Sequence, residues 1–396
     1  MGNHPYDIIV IMNLARINRH VKIVCTMGPA SSSPEIIEKM LLCGMDIARF
    51  NLAYGTFGEH SEHISLVRSL SQRLKLPTGI LMDLPGPKRL SGNIKAMFGQ
   101  HLDFVISQNA DFIALSFISS AKQVEDVRRL LTDMNSSIPV IVKIERLKAL
   151  EEIENILNVC EGIMVARGDL ALDISIEKVP LAQKHLISAA NRRGKPVVTA
   201  TQMLESMVRS AIPTRAEATD VANAVLDGTD AIMLSEETSV GNYPAQSTEM
   251  MAKIALEAES EFPYLHKLME KWPVILPEVN DATARAACQM AHQVQAKAIA
   301  AFTTGGTTAL RVSKYRPAQP ILAITPYESV MTRLSVAWGV LPITKPVPPN
   351  LEGIFELASE AALETGLVKK GDLVVLTAGL PLSVPGSTNL VKIHSI

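Results

Sequence analysis

Residues Pro213–Thr238 read PTRAEATDVANAVLDGTDAIMLSEET. Within them, Ala216–Leu226 carry apolar residues at three- and four-residue spacing, the pattern of a helix with one buried face. Asp230–Leu234 form a short apolar run bounded by turn residues, the pattern of a strand buried on both sides. Ser235, Glu236, Glu237 and Thr238 follow at once, a group of polar side chains at the strand's C-terminal end.

The same unit recurs back to about residue 20. The other apolar runs are Val21–Thr26, Ile47–Leu52, Gly79–Leu84, Phe112–Phe117, Val140–Ile144, Gly162–Ala166 and Pro196–Ala200. Between them lie further helical patterns, among them Pro34–Leu42, Val124–Leu131 and Ala182–Asn191. Eight strand-plus-helix units predict a (β/α)8 TIM barrel over residues 20–262, with a doubly wound sheet as the alternative that the count of eight disfavours. Residues 1–19 read as an N-terminal extension. After a Pro-containing linker near Glu261–Pro277, residues 278–396 alternate again and read as a smaller open α/β domain. Its expected helices are Ala282–Ala296, Thr307–Tyr315, Val330–Trp338 and Leu351–Thr365. Its expected strands are Ile299–Phe302, Ile321–Ile324, Leu373–Leu376 and Leu390–Ile393.

Composition bounds the function. Aromatic residues are only 4% of a chain that is 47% hydrophobic, so its cores are aliphatic, as parallel sheets prefer. A net charge of −2 supports no nucleic-acid-binding face. The four cysteines have no metal or disulfide spacing and read as reduced thiols of a cytoplasmic protein. No signal peptide or membrane-spanning run is expected.

A barrel of this kind gathers its chemistry at the C-terminal ends of its strands. There the sequence places Arg49 and Asn51, Asp83 with Lys88 in the next loop, Lys143 and Glu145, Arg167 and Asp169, and Thr201 with Gln202. Glu145 and Asp169 suit a hard divalent cation that takes one or two carboxylates and completes its shell with substrate oxygens and water. Arg49 and Lys143 bring positive charge to a place where a transferring phosphoryl group needs it. Thr201 offers a hydroxyl for proton relay. Lys143 and Glu145, two apart on one strand, point to the same face, which suits a site and also a plain ion pair.

The segments KIVCTMGPAS (Lys22–Ser31), MDIARFNLAYG (Met45–Gly55), IVKIE (Ile141–Glu145), GIMVARGDLA (Gly162–Ala171), GKPVVTATQMLESM (Gly194–Met207) and Pro213–Thr238 resemble pyruvate kinase. So do KYRPAQPILAITP (Lys314–Pro326), Trp338–Val340 and Gly386–Asn389. The resemblance implies phosphoryl transfer from phosphoenolpyruvate to ADP, giving pyruvate and ATP. It implies Lys143 as stabiliser of the phosphoryl group in flight, Glu145 and Asp169 as ligands of Mg²⁺ or Mn²⁺, Arg49 on the transferring phosphate and Thr201 on the proton-delivery side. Ala166, Arg167 and Gly168 match the turn that seats the substrate carboxylate. A homo-oligomer, tetrameric by family analogy, is implied as well.

Four departures from the family pattern stand out. The mobile lid domain that the family inserts after the third strand is missing near 88–97. Leu90 stands where the family has an Arg. Asn51 and Asp83 of the potassium site remain, but Ala53 replaces a Ser and Lys88 replaces a Glu, so the resemblance implies that K⁺ is not required, an ammonium standing in its place. Finally, Tyr54, Ser119, Ser120 and Glu236 replace the family's usual residues.

In the smaller domain, Thr303, Thr304, Gly305, Gly306, Thr307 and Thr308 lie between a strand and a helix. Hydroxyls and glycine amides at a helix start favour an anion, and the segment resembles the family's effector loop for sugar phosphates. An ordinary capped turn is the other reading. Overall, a kinase weakened by loss of its lid is expected. A non-catalytic sensor of phosphoenolpyruvate or sugar phosphate is the alternative, and enolisation of pyruvate alone is a third reading.

Overall fold

The computed structural model describes residues 18–86, 94–269, 278–381 and 386–396. The described residues up to Ser260, apart from 192–194, form one compact unit; those from Glu261 on, with 192–194, form a second.

The first unit is a closed parallel barrel. Its strands are β1 (Lys22–Thr26), β2 (Ile47–Asn51), β3 (Gly79–Leu84), β4 (Phe112–Leu115), β5 (Val140–Ile144), β6 (Gly162–Ala166), β7 (Val197–Ala200) and β8 (Ala231–Leu234). They pair in sequence order, and β8 returns to β1 with Ala231 opposite Lys22 and Leu234 opposite Cys25. The doubly wound alternative is thereby excluded. Because helices cover the outside and side chains fill the inside, the strands are predominantly apolar. Every residue of the eight strands is buried except Asn51 and Lys143, which are half-buried.

Local sequence sets the helix ends. Thr56 and Glu59 form a capping box at the start of helix Phe57–Leu74, and Thr214 and Glu217 do the same for helix Arg215–Asp227. The latter helix stops at Gly228, whose φ of 94° is a left-handed conformation that glycine adopts without strain. From the end of β3, the chain reaches helix Ile94–Ser107 within nine residues, so no domain stands between them. Lys88, Arg89 and Leu90 fall in that connection and lie outside the described residues.

The second unit is a five-stranded sheet ordered β11-β10-β9-β12-β13. Here β9 is Ala298–Phe302, β10 is Ile321–Thr325, β11 is Val340–Thr344, β12 is Leu373–Gly379 and β13 is Thr388–Ser395. Only β13 runs antiparallel to its neighbour. Aliphatic cores lie on both faces, one around Ala284, Val312 and Val340 and the other around Ile324, Ile354 and Leu376.

Sequence expectations differ here in three places. Strand β11 has no strand signature in the sequence, because Pro342 interrupts its pattern. As an edge strand it tolerates a residue that lacks an N–H. The helix expected over Val330–Trp338 is instead Glu328–Arg333 followed by a 3-10 turn, Leu334–Val336. The chain then turns through Gly339 at φ 65° to begin β11, with Trp338 fully buried under the Arg316 guanidinium. Where a linker is expected, Tyr264–Met269 is helical, and Leu268 packs into the first of the two cores. Among the described residues, no helix is long and apolar enough to cross a membrane.

Candidate active site at the barrel mouth

The C-terminal ends of β2, β3 and β5 bring four charged side chains into one network. Asp83, at 2% exposure, accepts from Arg49 Nε at 3.1 Å and from Arg49 Nη2 at 2.6 Å on the same oxygen, Oδ2. Lys143 Nζ lies 3.4 Å from that oxygen and 2.8 Å from Glu145 Oε1. Arg49 Nη1 donates to Thr26 Oγ1 at 2.8 Å, and that hydroxyl donates to the Leu234 carbonyl at 2.8 Å, tying the guanidinium to β1 and β8.

The charges balance in a definite order. Burial opposes ionisation of Asp83, but Lys143 and then Arg49 outweigh it and hold the carboxyl below its ordinary range. Burial likewise works against the Lys143 ammonium, and Asp83 and Glu145 overcome it, so the ammonium is held more firmly than usual. Glu145 goes the other way. Burial raises its pKa, and the nearby Asp169 carboxylate adds to the rise, against the pull of Lys143 and the N–H of Phe117, which donates to Oε2 at 2.7 Å.

A second cluster joins the first through that Glu145–Asp169 repulsion. Asp169 sits in the first turn of helix Arg167–Asp173, which begins directly from β6. It is exposed and takes no ion pair among the described residues. Gly168 N–H donates to Thr201 Oγ1 at 2.8 Å, and this hydroxyl donates to the Ala200 carbonyl at 2.6 Å. Thr201 has φ 69° and Gln202 has φ 54°. A β-branched residue in the left-handed region is strained by about 1–3 kcal/mol and persists only where its surroundings enforce it.

Arg167 supplies the enforcement. Its buried guanidinium donates to the Thr201 carbonyl at 2.7 Å, the Ala200 carbonyl at 3.3 Å and Gln183 Oε1 at 3.3 Å, and pairs with Asp220 at 2.6 Å. Its side chain therefore grips the β7 turn. Asn51 closes β2 and accepts from Ala53 N–H through Oδ1 at 3.2 Å.

Two contributors escape the sequence reading, and a third, Glu237, is visible there only as one of the polar residues that end β8. Ser116, just past β4, touches both Lys143 and Asp83; Thr26 ends β1. Both are single hydroxyl residues in apolar surroundings, and their position at a strand end was the available signal. Glu237, at 2% exposure, accepts from Leu204 N and Ser235 N and closes the loops after β7 and β8; burial raises its pKa.

The donor set fits a divalent cation. Glu145 Oε1 is buried with only the Lys143 ammonium facing it, and Asp169 takes no ion pair among the described residues. Among the described residues, no three His, Cys, Asp or Glu side chains gather into a closed cage. Two carboxylates with the remaining positions open match Mg²⁺, which keeps water and substrate oxygens in its shell.

The second unit's candidate loop also lies at a cavity. Thr303, Thr304, Thr307 and Thr308 line a space of about 60 Å³ with Lys345 and Thr388. Gly305 and Gly306 turn the chain between them. Gly306, at φ 88°, donates its N–H to Thr303 Oγ1 at 2.8 Å, and Thr308 shares a 2.8 Å hydrogen bond with Thr388. Lys345 is the one cation among the described lining residues, and Glu360 and Glu364 each hold it at 2.7 Å.

A closed eight-stranded barrel with acids and cations converging at its C-terminal mouth defines a (β/α)8 protein that carries its site where that architecture places chemistry. A family model described as "Pyruvate kinase, barrel domain" matches residues 18–102 and 94–248, and one described as "Pyruvate kinase, alpha/beta domain" matches residues 281–394. The chain belongs to the pyruvate kinase family. It is 35% identical to a pyruvate kinase of Staphylococcus aureus (strain MRSA252) over 471 aligned positions, covering 96% of this chain and 80% of that one. A pyruvate kinase of Sporosarcina psychrophila is likewise 35% identical over 472 positions, with the same coverage. Since the chain has only 396 residues, at least 75 of the 471 positions are gaps in it. The barrel match divides into two stretches that overlap at residues 94–102, in the helix that follows β3, next to the connection where the family's lid is missing.

Proposed function

We propose that this chain transfers the phosphoryl group of phosphoenolpyruvate to ADP, with a rate lowered by the missing lid. The observation that carries the reading is the single network of Arg49, Asp83, Lys143 and Glu145 at the barrel mouth. In the reaction the enol-phosphate P–O bond breaks, a terminal oxygen of ADP forms the new P–O bond, and the enolate left behind takes a proton at its methylene carbon.

Lys143 sets its ammonium against the charge on the phosphoryl group in transit, and Arg49 binds the same group. Their fixed positions matter because preorganised charge needs no reorganisation when the reaction occurs. Glu145 and Asp169 would hold Mg²⁺ or Mn²⁺, which when bound neutralises phosphoryl and carboxylate oxygens. The Ala166–Gly168 turn seats the substrate carboxylate, and the Thr201 hydroxyl lies beside it to pass a proton. Without a lid, water reaches the site, which weakens every electrostatic contact in it.

Potassium is dispensable on this reading. The resemblance gives Lys88 the place of the family's Glu, so that an ammonium stands in for the cation, and Asp83, a carboxylate of that site, is already neutralised by Arg49 and Lys143. The threonine-lined cavity supports a small polar effector. A sugar phosphate binding there has to compete with Glu360 and Glu364 for Lys345. A cytoplasmic homotetramer follows from family analogy.

A coupled assay with ADP, Mg²⁺ and phosphoenolpyruvate tests the proposal, with slow but measurable turnover expected. The missing lid favours one second reading, a sensor. Phosphoenolpyruvate binding without turnover would leave that reading in possession.

A further inference from the structure

Ser116 follows β4 by one residue and is buried, at 6% exposure. Its oxygen accepts a hydrogen bond from the Lys143 ammonium at 2.9 Å and lies 3.3 Å from Asp83 Oδ1 and 3.4 Å from the Leu84 carbonyl. A hydroxyl has one proton to give and two lone pairs. Lys143 takes a lone pair, so the proton goes to β3, through Asp83 or Leu84. The hydroxyl thus spans from β5 to β3 across the strand between them.

An ammonium has three N–H groups. Glu145 at 2.8 Å and Asp83 at 3.4 Å face two of them, and Ser116 faces the third. The next residue grips the other end of the same pair. Phe117 holds φ 57°, a strained value for a bulky side chain, and from there its N–H reaches Glu145 Oε2 at 2.7 Å. One two-residue turn therefore sets Lys143 through a side chain and Glu145 through the backbone. Gly86 leans against that turn so closely that an added Cβ would lie 3.0 Å from the Ser116 carbonyl and 3.1 Å from the Phe117 ring.

We propose that Ser116 is a positioning residue for phosphoryl transfer, its hydroxyl fixing the direction of the Lys143 ammonium. The assignment rests on the kinase reading above. Lysine carries its charge on a flexible four-carbon stem, so a third anchor decides where the charge sits. Ser116 itself touches no substrate. Displacing a catalytic group by about 1 Å costs on the order of a hundredfold in rate.

The test compares wild type, Ser116→Ala and Ser116→Thr in two measurements. One is steady-state turnover with ADP, Mg²⁺ and phosphoenolpyruvate. The other is the rate at which Lys143 in the unliganded protein is acetylated by acetic anhydride, read peptide by peptide, with the denaturant midpoint as a control for folding. The Ala variant is expected to lose about ten- to a hundredfold in kcat, with KM for phosphoenolpyruvate and Mn²⁺ affinity unchanged and Lys143 labelled faster. The Thr variant is expected to restore both readings. Wild-type kcat and wild-type labelling in the Ala variant would overturn the proposal. So would a loss that Thr does not recover and that comes with weaker substrate binding. If the wild type shows no turnover, the kinase reading fails by itself, and the labelling comparison still decides whether Ser116 holds Lys143.

Discussion

Lys143 and Glu145 leave the same strand two residues apart, and Lys143 Nζ meets Glu145 Oε1 at 2.8 Å. Glu145 is buried and Lys143 half-buried, and the two are tuned in the same direction: both pKa values are raised. For lysine that secures the charge. For glutamate it makes the charge costly, so a cation that binds there relieves a strained carboxylate.

Lys143→Met removes the ammonium and keeps the stem. Arg49 still neutralises Asp83, so the fold is expected to survive with an unchanged denaturant midpoint. Transfer is expected to fall by about 10²–10³-fold or more, the loss typical of a preorganised donor. Substantial turnover in this variant would show that another group stabilises the phosphoryl oxygens.

Metal binding is expected to depend on pH through Glu145. A protonated carboxyl does not ligate, and the pKa of Glu145 lies above the ordinary carboxylate value. Affinity is therefore full at high pH and falls as pH drops through that raised value. Asp83, held low, stays charged across the same window. Mn²⁺ titrations followed by electron paramagnetic resonance from about pH 8 down to about pH 4, the ordinary glutamate range, read this directly. A flat affinity over the range would contradict the assignment of Glu145.

Arg167 is expected to matter for stability through the β7 turn. Arg167→Ala leaves the Thr201 carbonyl without its side-chain donor, takes from the Ala200 carbonyl one donor while the Thr201 hydroxyl remains, and removes the partner of Asp220. A loss of about 2–3 kcal/mol in urea unfolding follows. Arg167→Lys is not expected to rescue it, because one ammonium cannot span the directions of a planar fork. Turnover should fall in both variants as Thr201 leaves its left-handed conformation.

Replacing K⁺ by tetramethylammonium at constant ionic strength is expected to leave turnover unchanged. A steep rise with added K⁺ would refute the role given to Lys88.

Much of this was legible in advance for identifiable reasons. Buried parallel strands are written as uninterrupted apolar runs, so all eight barrel strands were found within two residues of their ends. The strand-end charges were legible because a charge inside such a run is rare. Ser116 and Thr26 were not, because a small hydroxyl is chemically unremarkable until its neighbours are known. Strand β11 was lost to a single proline that only an edge position excuses.

By itself, the sequence determined the order of strands and helices, the candidate charges and the kinship, since periodicity and motif are properties of neighbours along the chain. Only the tertiary structure decided which charges meet. It turned the Arg167 side chain onto the β7 turn, made Ser116 the bridge from β5 to β3 and set two carboxylates around Lys143. Apart from the Lys143–Glu145 pair, contacts of that kind join residues tens of positions apart, and closure of the barrel, not any local pattern, fixes their distances.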